Sequence, residues 1–127
     1  MRTLLTLASL ALLLPTPNVA AADCALFQSY REAAEAAFLF GDPEPYPGTT
    51  DCSVEGEAYT CMWIAPFDEP PLPDEIVGSI TACFPDAETA SLAGATFITV
   101  GDVRFSVLSI AGDLALSVGP TDAGADD

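Results

Sequence analysis

Two of the four cysteines constrain the fold more than any other feature, because they flank a turn signal symmetrically. Cys52 and Cys61 lie on either side of Gly56-Glu57, a pair that suits the centre of a type II′ turn with glycine at positive φ. Counted outward from that turn, the two cysteines face each other at a non-hydrogen-bonded position. Facing Cα atoms there lie about 4.5 Å apart, within the range that a disulfide accepts. The sequence therefore predicts a hairpin over 52–65 that carries a Cys52–Cys61 disulfide.

The other two cysteines are Cys24 and Cys83, and pairing them predicts a second disulfide. This disulfide closes a loop of about 60 residues, which the chain-entropy model associates with roughly 4 kcal/mol of stabilisation. The two other connectivities that four cysteines allow remain open. Two disulfides are typical of a short exported domain, in which the hydrophobic core alone supplies little stability.

The first 22 residues have the order of a secretory signal peptide. Arg2 precedes an uncharged apolar run over 4–14, and Ala20–Ala22 offers a cleavage site before Asp23. The run is much shorter than the roughly 20 residues that span a bilayer. We therefore expect a periplasmic or extracellular protein with no membrane attachment after cleavage. A retained membrane anchor and an acyl anchor on Cys24 are the alternatives. The short apolar run disfavours the first, and Asp23 directly before Cys24 and the odd cysteine count that would result disfavour the second.

Two segments have the spacing of amphipathic helices. Over 24–40 apolar side chains recur every three or four residues, with Asp23 as the N-cap and Gly41 as the stop. A second helix is predicted from about Pro73 to Phe84, because proline suits the first helical position. The predicted buried stripes are Phe27, Tyr30, Ala34, Ala37 and Phe38 in the first helix, and Ile76, Val77, Ile80, Cys83 and Phe84 in the second.

From Ala95 the chain has the alternation of a three-stranded meander. Gly101-Asp102 and Gly112-Asp113 are its predicted two-residue turns. With both turns in this register, apolar residues share one face, which is predicted to be buried together with Leu114 and Leu116. The facing pairs on it are Ile98 with Phe105, Val100 with Val103, and Val107 with Val118. Trp63 is predicted to lie on the buried face of the hairpin, against the Cys52–Cys61 disulfide.

These elements predict one α+β domain over 23–118, in the order α-β-β-α-β-β-β. Two helices are expected to pack on one side of an antiparallel sheet of about five strands, stapled by two disulfides. Whether the hairpin joins the meander in a single sheet is left open. Residues 119–127 are small and acidic, and they are predicted to form a disordered tail.

Charge restricts the classes of partner. The chain has 19 acidic residues and three arginines, with no lysine or histidine, for a formal net charge of −16. Such a surface repels nucleic acids and anionic lipids, and it attracts basic proteins and metal cations. Adaptation to a salty habitat, or a genome that avoids lysine codons, would explain the same composition without any partner.

The catalytic side chains that the sequence lacks point away from an enzyme. Histidine is the commonest general base, lysine serves Schiff-base chemistry, and four paired cysteines leave no thiolate nucleophile. We therefore expect no enzymatic activity, no cofactor and no dedicated metal site. The enzymatic alternative is a small hydrolase that uses a carboxylate pair. A further alternative is a structural domain that calcium stabilises through the acidic loops, although the spacing of an EF-hand is missing.

Two proline-rich loops, 41–50 and 66–73, combine stiffness with negative charge and aromatic residues. Stiff loops lose little entropy on binding, and aromatic residues are favoured anchors in protein interfaces. The candidate partner-binding residues are Tyr46, Phe67, Asp68 and Glu69. The hypothesis from sequence is an exported, non-enzymatic binding protein for a basic protein, in the manner of an inhibitor or immunity protein. Loops that merely connect elements, and a domain with no specific role, remain the alternatives.

Overall fold

A computed structural model describes residues 15–64 and 68–121, in which two helices pack on one six-stranded antiparallel sheet. The helices are α1 (Pro15–Glu35) and α2 (Pro73–Cys83). The strands are β1 (Asp51–Glu55), β2 (Ala58–Trp63), β3 (Glu88–Leu92), β4 (Ala95–Val100), β5 (Val103–Ile110) and β6 (Asp113–Pro120). Their order across the sheet is β1-β2-β6-β5-β4-β3. The α+β class is confirmed, the hairpin joins the meander through β2 and β6, and the sheet has one strand more than predicted.

The hairpin has the predicted register. Cys52 faces Cys61 and Glu55 faces Ala58 across the turn, where Gly56 has a φ of +65°. The Cys52–Cys61 disulfide joins Cα atoms 4.0 Å apart. Trp63 is 1% exposed and lies in the same core cluster as Cys61, so its prediction as a core residue is confirmed.

The second disulfide joins the two helices. Cys24 in α1 is bonded to Cys83 at the end of α2, with a Cα–Cα distance of 5.3 Å. Helix α2 ends one residue before the predicted end. Of its predicted stripe, Ile76, Ile80 and Phe84 are buried, and Val77 and Cys83 are only partly buried. The helix pair is thus covalently fixed over the sheet, and the predicted connectivity is the one observed.

Helix α1 starts earlier than predicted. It begins at Pro15, so Asp23 lies within the helix and does not cap it. Proline is tolerated in a first helical turn, because the N–H groups there have no partner within the helix. The helix passes through the predicted cleavage site, and signal-peptide processing stays a prediction, since residues 1–14 lie outside the described part of the chain. Among the described residues, no helix is both long and apolar enough to cross a bilayer.

Helix α1 also ends earlier than predicted, at Glu35. The Phe38 N–H donates to the Ala33 carbonyl at 2.8 Å, and the Ala37 N–H donates to the Ala34 carbonyl at 3.0 Å. Ala37 and Phe38 have left-handed φ values of +55° and +57°. This bonding pattern is a Schellman motif, which ends a helix without requiring Gly41. Ala37 is exposed as a result, so the prediction that it belongs to the buried stripe is wrong.

The meander confirms one predicted turn and corrects the other. Across Gly101-Asp102, Ile98 faces Phe105 and Val100 faces Val103, as predicted. The second turn is Ala111-Gly112, with φ values of +51° and +89°, a pair of positive angles typical of type I′. Val107 therefore faces Leu116, and the predicted pairing with Val118 is wrong. A shift of two residues leaves each side chain on its own face, so the predicted face is buried, with Val100 only partly so.

Strand β3 is the additional strand, and Ala90 and Leu92 are the two apolar residues in its sequence. All five of its residues are exposed. It pairs with β4 through an Ala93-Gly94 turn in which both residues have positive φ. Further along the chain, the central strand β6 continues through Gly119 and Pro120, the first two residues of the predicted tail. Residues 122–127 of that tail lie outside the described part.

Candidate binding surface

The segment between α1 and β1 (residues 36–50, here the α1–β1 loop) is fastened to the core by two tyrosines. The Tyr30 hydroxyl donates to the Glu44 carbonyl oxygen at 2.7 Å, and the Tyr59 hydroxyl donates to the Pro43 carbonyl oxygen at 2.9 Å. Both tyrosines are core residues, Tyr30 on α1 and Tyr59 on β2. The path of the loop is therefore set by core side chains that bond its backbone.

The two tyrosines remain hydrogen-bond donors across the neutral pH range. Burial raises the pKa of the Tyr30 hydroxyl well above its usual range, and the nearby Tyr59, Tyr46 and Glu44 raise it further. Burial likewise raises the pKa of the Tyr59 hydroxyl, with a smaller contribution from the charge of Asp42. Both hydrogen bonds to the α1–β1 loop are therefore insensitive to pH below the ordinary tyrosine pKa of 10.0.

Tyr46, one of the predicted partner-binding residues, is half-buried and packs against the core. Its ring centroid lies 5.8 Å from that of Phe27 and 5.4 Å from that of Trp63. The backbone passes close to the same indole, because a Cβ on Gly48 would lie 3.2 Å from the Trp63 Nε1 atom. The structure therefore gives Tyr46 a packing role, and its part in partner binding stays a prediction.

The second predicted loop is attached to the first. The Asp68 carboxylate accepts hydrogen bonds from the Thr50 hydroxyl and, at 2.8 Å, from the Ile64 N–H. The Thr50 hydroxyl, and after it the Ile64 N–H, hold the pKa of the Asp68 carboxyl below its usual range. Glu69 is exposed beside it, and Phe67 lies outside the described residues. Thus the structure brings the two predicted loops together through Thr50 and Asp68.

The most exposed large apolar side chains lie at the tip of the α1–β1 loop, where the sequence predicted a helix. Leu39 is 79% exposed and Phe40 is 93% exposed. We call this pair of residues the Leu39–Phe40 tip. Phe38 turns inward instead, and its ring centroid lies 6.3 Å from that of Tyr59. The sequence held one signal of this: three consecutive apolar residues cannot all face the same side of a helix.

Positive charge is scarce in the described part of the chain, which holds two arginines. The Arg31 Nε atom lies 3.3 Å from a Glu35 carboxylate oxygen, and its guanidinium lies 5.9 Å from the Phe84 ring centroid. Arg104, the other arginine of the described chain, lies over the Phe97 ring. Arg31–Glu35 is the one ion pair found within residues 15–64 and 68–121. We call the two loops that Thr50 and Asp68 connect, 41–50 and 66–73, the joined loops. Their exposed acids Asp42, Glu44 and Glu69 therefore have no neutralising arginine in the described part of the chain.

The described residues show no metal-ligand cluster, and two surface depressions on them lack a pair of acids. No group of three or more histidine, cysteine, aspartate or glutamate residues in this part of the chain is placed to hold a metal ion. One surface depression is lined by Asp86 as its single acid, beside Arg31. Another lies between Pro73 and the Ala93-Gly94 turn, and its lining has no acid. Neither depression offers the two facing carboxylates that a glycoside hydrolase requires.

Comparison with known proteins assigns the chain to no family. No protein-family model matches it, and no curated protein or solved structure matches it either.

Proposed function

We propose that the protein is an exported, non-enzymatic binding protein whose partner is a cationic protein, in the manner of an inhibitor or immunity protein. The observation that supports this proposal is the unbalanced surface charge. The chain has a net charge of −16, and a single ion pair is formed within its described residues. No acidic side chain is buried among residues 24–64 and 68–121, so their negative charge faces solvent.

Electrostatic steering explains how such a surface would serve binding. A field of one sign attracts an oppositely charged protein over about one Debye length and raises the rate of encounter. The same field repels nucleic acids and anionic membranes, whose binding sites need lysine and arginine. A basic protein is therefore the macromolecule that this surface favours.

The joined loops supply the most suitable local surface for this role. Asp42, Glu44 and Glu69 are exposed there, and the buried tyrosines and the Asp68 bonds fix the backbone that carries them. A pre-ordered loop loses less conformational entropy on docking than a mobile one. The two disulfides support the same rigidity, since one spans the hairpin beside the loops and the other joins the helices.

The test is a capture experiment with a salt gradient. The full-length chain is produced with its own N-terminus, purified from the periplasm or medium, immobilised, and exposed to an extract of exported proteins from the same host. Because the Debye length falls from about 10 Å at 0.1 M salt to about 3 Å at 1 M, purely electrostatic contacts dissociate early in the gradient.

The proposal predicts one dominant basic protein that is retained into moderate salt and that binds again after purification. A mixture of basic proteins that all elute together at low salt would contradict it. That result would mean that the charge is a generic property of the chain, such as adaptation to a saline environment. Retention that does not change with salt would also contradict the proposal.

A further inference from the structure

We infer that the Leu39–Phe40 tip is the apolar anchor of the interface, and that the partner offers an apolar pocket bordered by lysine or arginine side chains. This inference rests on the proposed function and names the part of the molecule that performs it. The primary observation is exposure, because Leu39 and Phe40 are 79% and 93% exposed. Large apolar side chains that project into solvent next to each other are typical of sites that bind another molecule.

The backbone before the tip adopts a conformation that is uncommon for residues with a Cβ. Ala37 and Phe38 are both left-handed, with φ values of +55° and +57°. Such conformations are costly for residues other than glycine, and they persist where the surrounding structure or a function requires them. Here the two residues end α1, direct Phe38 toward Tyr59, and direct the next two side chains outward. The chain thus displays Leu39 and Phe40 by means of a strained turn.

The tip is also held in place from its other side. Immediately after it, Tyr59 bonds the Pro43 carbonyl and Tyr30 bonds the Glu44 carbonyl, at 2.9 and 2.7 Å. Pro43 fixes its own φ angle and further restricts the chain there. Aromatic and aliphatic residues on such a fixed loop are pre-ordered, so that docking them costs little entropy.

The charge around the tip determines the chemistry of the partner. Glu35 precedes the tip, Asp42 and Glu44 follow it, and all three are exposed. Arg31 is paired with Glu35, and the described residues form no ion pair with the other two acids. A pocket that accepts Leu39 and Phe40 would therefore gain from basic side chains at its rim. A second copy of this chain would bring like charges together, and an anionic bilayer would repel the same acids.

The test compares exposed apolar residues at the tip and on a distant strand. The tip variant is Leu39→Ala/Phe40→Ala, and the control is Leu92→Ala on β3, whose side chain is 69% exposed and lies outside both binding loops. The probes are the basic protein retained in the salt gradient, after purification, and cytochrome c as a basic protein that reports charge alone. Isothermal titration at about 0.1 M salt gives each affinity. Matching urea midpoints for the two variants and the wild type exclude a loss of folding.

The inference predicts that the tip variant binds the retained protein at least about 30-fold more weakly, as expected for two anchor residues, while the control changes by less than about twofold. Both variants should bind cytochrome c like the wild type. If the tip variant keeps wild-type affinity for a salt-sensitive partner, the anchor is wrong and the proposed function stands. If the wild type retains no specific basic protein, the proposed function fails and the inference fails with it.

The occupant can also be identified directly. A photoreactive p-benzoylphenylalanine is placed at position 40 and, as a control, at position 92 of the full chain. The inference predicts cross-linking to the retained basic protein from position 40 and not from position 92. Cross-linking of one copy of this chain to another from position 40, or flotation of the wild type with anionic phospholipid vesicles that the tip variant loses, would overturn it.

Discussion

The Tyr30 hydroxyl donates a 2.7 Å hydrogen bond to the backbone carbonyl oxygen of Glu44, a residue 14 positions further along the chain. This bond joins the core to the loop that carries the exposed tip. We expect Tyr30→Phe to lower the free energy of unfolding at neutral pH by about 1–2 kcal/mol, because a partly buried carbonyl loses its donor. Urea denaturation checks this value.

The same residue predicts a pH dependence. Burial raises the pKa of Tyr30 above its ordinary value of 10.0, so the unfolded chain releases this proton at a lower pH than the folded one. The stabilisation from the neutral hydroxyl is therefore complete below about pH 10 and is lost as the pH rises toward the folded pKa. Tyr30→Phe should show a shallower loss of stability above pH 10 than the wild type. Equal slopes for the two proteins would contradict this explanation.

Two glycines predict opposite effects of the same substitution. Gly48 has a φ of +87°, and a Cβ there would lie 3.2 Å from the Trp63 Nε1 atom. Gly78 lies inside α2, where a Cβ would meet no atom within 4 Å. We expect Gly48→Ala to destabilise the protein by about 1–2 kcal/mol and Gly78→Ala to stabilise it by about 0.5–1 kcal/mol. Urea denaturation followed by Trp63 fluorescence measures both, and a shared sign would contradict the prediction.

The two disulfides should differ in their contribution to stability. Cys24 and Cys83 are separated by 59 residues, and Cys52 and Cys61 by 9. Loop-closure entropy predicts a loss of about 4 kcal/mol on removing the first disulfide and about 3 kcal/mol on removing the second. The measurement is urea denaturation of the variants Cys24→Ala/Cys83→Ala and Cys52→Ala/Cys61→Ala. A larger loss from the hairpin variant would mean that native packing, and not loop length, dominates.

The corrected turn makes its own prediction. Ala111 has a φ of +51° as the first central residue of the Ala111-Gly112 turn, a position that favours asparagine. Ala111→Asn should raise the free energy of unfolding by about 0.5 kcal/mol, and Ala111→Val should lower it by at least as much. If Gly112-Asp113 formed the turn, residue 111 would lie in a strand, and valine would be the stabilising substitution.

A feature of this fold could be predicted from the sequence where particular residue types, or their spacing, are specific to it. The hairpin disulfide is predictable because placing the turn at Gly56-Glu57 sets Cys52 directly opposite Cys61. The buried face of the meander is predictable although the register was wrong by two residues, because a shift of two leaves the faces unchanged. Strand β3 was missed because it buries neither face, and its two apolar residues, Ala90 and Leu92, are too few to indicate a strand.

The candidate site was predicted only in part, for a related reason. Composition indicates two stiff acidic loops, and the structure joins them through Thr50 and Asp68. The packing of Tyr46 against Phe27 and Trp63 depends on contacts between distant parts of the chain, which residue type does not record. The Leu39–Phe40 tip was missed because left-handed alanine and phenylalanine end α1 there, and neither residue type normally signals a helix end.

The binding claim depends on the position of the charge as well as on its amount, and matched charge variants separate the two. Each variant replaces three exposed acids with their amides, so that both lose the same net charge. The loop variant is Asp42→Asn/Glu44→Gln/Glu69→Gln, and the control variant, altered elsewhere on the surface, is Glu32→Gln/Glu88→Gln/Asp102→Asn.

The most direct measurement is the affinity of the purified basic partner for these two variants and for the wild type, by isothermal titration from about 0.05 to 0.5 M salt. We predict that the loop variant binds at least about tenfold more weakly at low salt, with a shallower salt dependence, and that the control changes by less than about threefold. Equal losses in the two variants, or no loss in either, would contradict the claim that the acidic loops form the binding surface.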